Sequence, residues 1–191
     1  MKKIAAVIYE GFCMFEFSVA LENIAMSGQY RVDFYGEEKK AYRSEEGMLA
    51  MAEYGIGELN PDDYDGLILT GFYNEDIEMI KNEQFLSVIR EFDKQKKLIA
   101  AISAAPVFLI KAGILNGLTY MCGCPKEGLR EEGFTEAELE GMLDWDVCMN
   151  GPDRYIRHGH IVTSVARGFR EWGMEVGRML AIETYPSAYG L

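Results

Sequence analysis

Apolar residues along this chain form short continuous runs that alternate with longer amphipathic segments. Continuous apolar runs are typical of strands that are buried on both faces of a sheet; they occur at residues 3–9, 66–71 and Leu98–Ile102. Apolar positions at helical spacing predict amphipathic helices, here over residues 15–26, 75–94 and 171–185. Strands that alternate with helices predict an α/β fold with a parallel-rich sheet between helical layers.

Shorter patterns fill the rest of the chain. Residues 30–35 alternate as a second strand, and the polar stretch 37–52 predicts a hairpin or an edge excursion. An interrupted helix is expected over residues 126–143, with breaks at Gly133 and Gly141. Short strands are predicted at four further places, namely residues 118–122, 145–149, 155–157 and 161–165.

The apolar run Leu98–Ile102 leads directly into Ser103, and the small residues Ala104 and Ala105 precede Pro106. Proline is favoured at the start of a helix because its missing N–H would be unpaired there. The pattern therefore predicts a strand, an abrupt turn and a helix, as in a nucleophile elbow. Two interpretations of Ser103 remain open: it caps the helix that follows, or it is a reactive or ligand-binding group.

Ligand sites of open α/β sheets lie beyond the carboxyl ends of the strands. The loops after Tyr9, Leu69, Ile102 and Cys122 qualify. These loops present candidate residues, which are Glu16, Gly71, Ser103, Ala104, Gly123 and Cys124. Glu16 lies in the first turn of a predicted helix, where a carboxylate gains from the helix dipole; a catalytic role requires it to face Ser103.

Composition limits the classes of partner. The 191 residues suit one domain over residues 1–191. A net charge of −12 argues against nucleic acid or an anionic membrane as the main partner. No run approaches the ~20 apolar residues that span a bilayer, and the apolar start is too short for a signal peptide, so we expect a cytoplasmic protein with a small-molecule ligand or substrate.

The four cysteines are expected to be free thiols, since no secretion signal is apparent. Two histidines alone, His158 and His160, cannot supply the ligand set that zinc prefers. They are predicted to lie in a surface turn between two strands. We therefore expect neither a metal nor a cofactor.

Five segments together resemble the ThiJ/PfpI superfamily, which has the class I glutamine-amidotransferase-like, flavodoxin-like fold. The elbow sequence AISAAP and the KAGILNG segment after it are similar to the family pattern. So are three other segments, which are VIYEGF at residues 7–12, DGLILTG at 65–71 and HGHIVTS at 158–164. The resemblance covers nearly the whole chain.

The resemblance implies roles for particular residues. The family has a nucleophilic or oxidation-sensing cysteine at the elbow with a glutamate beside it, and backbone N–H groups that form an anion pocket. On this chain these positions are Ser103, Glu16, Gly71 and Ala104. The resemblance also implies a homodimer.

Three departures from the family pattern affect the expected chemistry. The elbow cysteine is Ser103, and a hydroxyl requires an adjacent base where a thiol can ionise near neutral pH. The position of a common family histidine falls at Gly123 or Cys124, and the family's glycine pair is Gly71-Phe72 here, which brings a ring towards the pocket.

The sequence leaves several functions open. One is an enzyme, a hydrolase or an amidotransferase-like or carbonyl-processing activity on a small molecule, with Ser103 as nucleophile or anchor and Glu16 as base or proton donor. Another is a non-catalytic ligand-binding or stress-response protein. A third is a redox sensor that uses the thiol of Cys122 or Cys124.

Overall fold

The computed structural model of the chain describes residues 1–73 and 78–191. The described strands are β1 (Lys2–Val7), β2 (Tyr30–Gly36), β3 (Ala41–Arg43), β4 (Leu49–Met51), β5 (Tyr54–Gly55), β6 (Gly66–Leu69), β7 (Leu98–Ile102), β8 (Tyr155–His158) and β9 (Ile161–Ser164). Seven of them form one sheet in the order β5-β2-β1-β6-β7-β9-β8. Neighbouring strands are parallel, except that β8 is antiparallel to β9. Strands β3 and β4 form a separate antiparallel hairpin.

Helices cover both faces of the sheet. The described α-helices are α1 (Met14–Ser27), α2 (Glu83–Lys94), α3 (Pro106–Ala112), α4 (Lys126–Glu131), α5 (Glu136–Leu139), α6 (Trp145–Asn150) and α7 (Phe169–Met179). Helix α1 packs against α7 on one face, and α2 packs against α3 on the other. The mostly parallel sheet between helices confirms the predicted fold class.

The three central strands explain the continuous apolar runs. Every residue of β6 and β7 is buried, as are the last four residues of β1. Strand register aligns the carboxyl ends of these strands, because Val7 pairs with Leu69 and Leu69 pairs with Ala101. The loops that follow β1, β6 and β7 therefore meet at one edge of the sheet.

Two predicted strands are wrong. Residues 145–149 lie in helix α6, whose start follows the N-cap position Asp144, and the short apolar pattern did not distinguish the two states. Residues 118–122 form no strand, and Tyr120 makes only an isolated bridge with Met142. The edge of β7 that such a strand would use is paired with β9, which comes later in the chain.

Two predicted helices have different bounds. Helix α2 begins at Glu83, because the Asn82 side chain caps it by accepting the Phe85 N–H at 3.1 Å. Within the predicted range 75–94, residues 74–77 lie outside the described residues, and Glu78–Lys81 form a 3-10 helix. Helix α7 ends at Met179, shortly before Ala181 takes a positive φ of 55°.

The other long patterns are confirmed. Residues 37–52 contain the β3–β4 hairpin, and residues 126–143 contain α4 and α5. Gly133 separates those two helices with a φ of 88°. Among residues 1–73 and 78–191, no helix combines the length and apolar character needed to cross a membrane.

A cluster of aromatic side chains on the sheet face covered by α2 and α3 packs against the helix that follows Ser103. Phe85 of α2 is fully buried, and its ring centroid lies 5.1 Å from that of Phe108 on α3. Phe108 in turn contacts Tyr9 at 5.5 Å and Phe72 at 5.4 Å. The helix after Ser103 is thus packed against residues from the neighbouring loops.

Phe85→Ala is expected to lower the free energy of unfolding by about 3–5 kcal/mol, because it leaves a cavity in this cluster. Denaturant unfolding monitored by circular dichroism measures the change. Leu49→Ala is the control: its side chain is 60% exposed, so its effect should stay within about 0.5 kcal/mol. Equal effects of the two substitutions would contradict this account of the core.

Candidate active site

Ser103 lies in a strained turn between β7 and α3. Its φ is +60°, a left-handed conformation that costs a non-glycine residue roughly 1–2 kcal/mol. Both of its backbone groups are held by other segments: its N–H donates to Ser164 C=O at 2.9 Å, and its C=O accepts from Gly123 N–H at 2.6 Å. These bonds fix the turn in spite of the strain.

The structure shows that the capping interpretation of Ser103 is wrong. Helix α3 begins at Pro106 with Ala105 in the N-cap position, and no side chain caps it. The strained turn places the serine hydroxyl before the helix rather than on its first N–H groups. The hydroxyl instead faces the Glu16 carboxyl group, since Ser103 Oγ and Glu16 Oε2 both lie within 3 Å of the point that a Cβ atom on Gly71 would occupy.

Glu16 is a buried carboxyl group at the start of α1, with only 2% of its surface exposed. Gly71 N–H donates to its Oε2 at 2.9 Å. Burial raises the pKa of Glu16 from its ordinary value of 4.5 to about 7, against the lowering effect of the bonds from Ser103 and Gly71. Near neutral pH this carboxyl group is thus present in both protonation states.

Gly71 permits the close approach of Glu16 and Ser103. A Cβ atom at position 71 would overlap Glu16 Oε2 and would lie 2.6 Å from Ser103 Cβ and 2.8 Å from Ser103 Oγ. The Gly71 N–H, expected from the resemblance to face an anion pocket, is bonded to Glu16. Ala104 differs: among the described residues its N–H donates to no protein acceptor, which leaves it available to a ligand.

Two acidic residues of the β3–β4 turn hold the start of α1, and sequence reasoning missed them. The Glu46 carboxylate accepts hydrogen bonds from the backbone N–H groups of Met14 and Phe15 at 3.2 and 3.0 Å. The Glu45 carboxylate accepts a hydrogen bond from the Cys13 thiol at 2.6 Å. The only sequence signal was an acidic pair before Gly47 in a predicted hairpin, and nothing local indicates a partner some thirty residues away.

The Gly123–Cys124 turn lies against the elbow. A Cβ atom on Gly123 would be 2.8 Å from the Ser103 carbonyl carbon and 3.0 Å from its Cα. Only glycine therefore fits here without a shift of backbone. Cys124 is half-buried, Cys122 is buried, and the influence of the Cys122 thiol lowers the pKa of Cys124.

Phe72 is directed to the core side of this loop. Its half-buried ring packs on Tyr9 in an edge-to-face arrangement, with centroids 5.3 Å apart, and on Phe108. The next residue, Tyr73, is 82% exposed. The Phe72 ring is thus anchored by aromatic contacts on two sides.

Neither histidine can act as the base for Ser103. Strand β9 runs parallel to β7, with Ile161 opposite Ile99 and Ser164 opposite Ile102. His158 and His160 precede β9 and therefore lie at the amino ends of the strands, the edge opposite Ser103. His158 Nε2 contacts Thr119 C=O at 2.9 Å, and His160 Nε2 contacts Asp93 at 2.8 Å.

The described residues contain no group of three or more His, Cys, Asp or Glu side chains arranged to hold a metal ion. What the site does contain is a serine hydroxyl, a carboxyl group that titrates near neutrality and one unengaged backbone N–H. Together these groups can move a proton from the hydroxyl and accept negative charge on an adjacent oxygen.

Most of the chain is similar in sequence to known proteins. Residues 2–176 match the model of the DJ-1/PfpI family. A segment of 117 residues is 30% identical to an uncharacterised protein of Methanocaldococcus jannaschii, covering 58% of this chain and 57% of that protein. A segment of 115 residues is 31% identical to deglycase PfpI of Pyrococcus furiosus, covering 60% and 65% respectively. The chain thus matches somewhat less than two thirds of the length of these relatives.

The fold is shared with solved structures. The DJ-1 superfamily protein Atu0886 from Agrobacterium tumefaciens superposes with a TM-score of 0.76 at 17% identity, covering 100% of this chain and 95% of that one. The resemblance to the ThiJ/PfpI superfamily is therefore confirmed at the level of sequence and of fold. By its sequence match over residues 2–176, the chain belongs to the DJ-1/PfpI family.

Proposed function

We propose that this protein is a hydrolytic, carbonyl-processing enzyme that acts on small molecules at the Ser103–Glu16 site. The observation that supports this most directly is the close placement, beside Gly71, of the strained Ser103 hydroxyl and a buried carboxyl group whose pKa is about 7. A catalytic base is most effective when its pKa lies near the working pH.

The proposed reaction begins with addition to a carbonyl carbon. The ionised Glu16 accepts the proton of the Ser103 hydroxyl while Ser103 Oγ forms a bond to that carbon. The electrons of the C=O double bond move to oxygen, where the Ala104 N–H donates a hydrogen bond to the developing charge. The C=O double bond then re-forms as the bond to the leaving group breaks, and protonated Glu16 gives its proton to that group. In the second half, Glu16 accepts a proton from water while the water oxygen adds to the acyl carbon; the bond to Ser103 Oγ then breaks, and Glu16 returns the proton to Ser103.

The substrate class that we propose follows the relatives. One matched relative is named a deglycase, so we extend to this chain the hydrolytic removal of carbonyl-derived groups. The acidic residues Glu45 and Glu46 lie near enough to raise the pKa of Glu16, and they disfavour anionic substrates. Neutral carbonyl compounds fit this site better than phosphorylated or carboxylated ones.

Ser103→Ala is expected to lower turnover of p-nitrophenyl acetate by at least ~10²-fold, because the nucleophile is lost. Alanine has the same backbone preference as serine at positive φ, so the fold should be retained. Ser18→Ala, which removes an exposed hydroxyl on α1, is the control. Full activity of the Ser103→Ala protein would exclude catalysis at the elbow and would favour a binding protein.

The activity is expected to rise with pH through an apparent pKa near 7, because Glu16 acts in its ionised form. Glu16→Gln should lower kcat/KM by about 10²–10⁴-fold and abolish this titration. Glu22→Gln, on the exposed side of the same helix, should change neither. A profile that keeps its pKa near 7 in the Glu16→Gln protein would assign the titration to another group.

The pH dependence of the free energy of unfolding gives a second measure of the raised pKa of Glu16. The pKa of Glu16 is higher in the folded than in the unfolded chain, so its stabilising effect is complete below about pH 4.5 and is lost as pH rises through about 7. The difference corresponds to about 3 kcal/mol. Denaturant unfolding between pH 4 and 8 should show this decline in the wild type and not in Glu16→Gln.

Gly71→Ala is expected to abolish activity, since the added methyl group occupies the space between Glu16 and Ser103. Gly128→Ala is the matched control, because its Cβ meets no atom within 4 Å and it lies in helix α4. That change should leave activity unaltered and stabilise the helix slightly. Wild-type kinetics in Gly71→Ala would show that the close contact is dispensable.

A further inference from the structure

The peptide unit between Thr70 and Gly71 is hydrogen-bonded at both of its polar ends. Its N–H, which belongs to Gly71, donates to Glu16 Oε2 at 2.9 Å. Its C=O, which belongs to Thr70, accepts a hydrogen bond from the phenol O–H of Tyr9. Side chains from the loop after β1 and from the first turn of α1 thus bind opposite ends of one peptide unit just after β6.

The geometry of a peptide unit makes these two hydrogen bonds interdependent. In a trans peptide the C=O and N–H groups lie in one plane and point in opposite directions. A donor that fixes the direction of the Thr70 C=O therefore also fixes the direction of the Gly71 N–H. Hydrogen bonds in such a chain polarise one another, so the bond from Tyr9 also strengthens the bond to Glu16.

The packing of Tyr9 keeps its phenol in place as a donor. Only 2% of the surface of Tyr9 is exposed. Its ring contacts those of Phe72 and Phe108, with centroids 5.3 and 5.5 Å away. Burial raises the pKa of Tyr9 well above its ordinary value of 10, so the phenol keeps the proton that it donates. The reaction proposed above uses no atom of this residue.

The Thr70 side chain ties the same peptide unit to the start of α1. Thr70 is fully buried, and its Oγ1 donates to Cys13 C=O at 2.5 Å. Cys13 N–H in turn donates to Gly71 C=O at 2.8 Å. Because Cys13 immediately precedes α1, these two bonds restrict the movement of the first turn, and hence of Glu16, relative to Gly71.

We propose that Tyr9 is a positioning residue whose phenol O–H orients the Thr70–Gly71 peptide unit and so holds the Gly71 N–H on the Glu16 carboxyl group. The inference deepens the proposed function and rests on it for any effect on catalysis, whereas the effect on Glu16 itself requires no activity. The hydrogen bond from Gly71 lowers the pKa of Glu16 against the larger effect of burial. Loss of the phenol O–H therefore raises that pKa.

The other titratable groups around Glu16 stay in place when Tyr9 loses its O–H. Glu45 and Glu46 of the β3–β4 turn both raise the pKa of Glu16. Burial raises the pKa of the Cys13 thiol, so Cys13, like Tyr9, is neutral near pH 7. A change in the Glu16 pKa of a Tyr9 variant therefore reports a change in the hydrogen bonds to its carboxyl group.

The test is nuclear magnetic resonance of the full chain with labelled glutamate carboxyl groups and backbone amides. The Glu16 signal is assigned from its absence in the Glu16→Gln protein. Tyr9→Phe keeps the ring and removes only the hydroxyl, and it should raise the Glu16 pKa by at least ~0.5 pH units. Tyr120→Phe is the matched control, since Tyr120 is 1% exposed and its O–H donates to Glu138 C=O at 3.0 Å. It should leave the Glu16 pKa unchanged.

Two further measurements remain if Tyr9→Phe does not fold. In the unmodified wild type, the Gly71 amide proton should titrate with the pKa of Glu16, because it donates to that carboxyl group. Thr70→Val removes the hydroxyl that binds Cys13 and should also raise the Glu16 pKa, whereas Thr70→Ser keeps a hydroxyl and should retain the wild-type value.

The kinetic consequence is a change in the pH profile. A rise of ~0.5 pH units in the pKa of Glu16 should lower kcat/KM for p-nitrophenyl acetate about 3-fold on the acid side of the profile, because less of the ionised base is present. Tyr120→Phe should keep the wild-type profile.

The inference is overturned by any of four results. These are an unchanged Glu16 pKa in Tyr9→Phe, an equal rise in Tyr120→Phe, a Gly71 amide proton that does not follow the ionisation of Glu16, or an equal rise in Thr70→Ser and Thr70→Val. The resonance measurements require no turnover. A raised Glu16 pKa in Tyr9→Phe, in a protein that hydrolyses no ester, would refute the proposed function and leave the positioning role of Tyr9 intact.

Discussion

The structure depends on a carboxyl group that is placed out of water against two backbone segments. Glu16 is almost fully buried, and its two named partners, Gly71 and Ser103, come from the loops after two adjacent strands. A buried carboxylate is costly unless it is hydrogen-bonded. The chain reduces that cost in two ways, since Gly71 N–H stabilises the charged form and a pKa of about 7 allows the neutral form to persist.

The strained conformation of Ser103 is also stabilised by several neighbouring segments. A positive φ at a non-glycine residue persists only where the surroundings determine it. Ser103 is held by β9 through Ser164 and by the Gly123 turn, while Phe108 fixes the helix that follows. The small residues on both sides of the site are therefore a steric requirement, because side chains at Gly71 or Gly123 would occupy the space that these contacts use.

Sequence reasoning predicted what local patterns determine. The run Leu98–Ile102 and Pro106 indicated the elbow directly, and the loops after β1, β6 and β7 followed from the rule for parallel sheets. The contact of Glu16 with Ser103 could only be hypothesised, because it depends on which strands are neighbours. Strand order also explains the wrong strand at residues 118–122, since β7 pairs with β9 instead. The hydrogen bonds from Glu46 to the start of α1 could not be predicted for the same reason, because these residues are close in space and distant in sequence.

The pairing of Ser103 with Ser164 has a consequence for how the protein is made. During synthesis the ribosome delivers Glu16, Gly71 and Ser103 well before residue 164, so the nascent chain can form β1, β6 and β7 with their polar groups but lacks the acceptor that holds Ser103 N–H. The left-handed turn is therefore set only when β9 docks beside β7. A chain that ends before residue 161 contains every proposed catalytic group but lacks β9, and therefore lacks the acceptor for Ser103 N–H. The site is complete only when the sheet is complete.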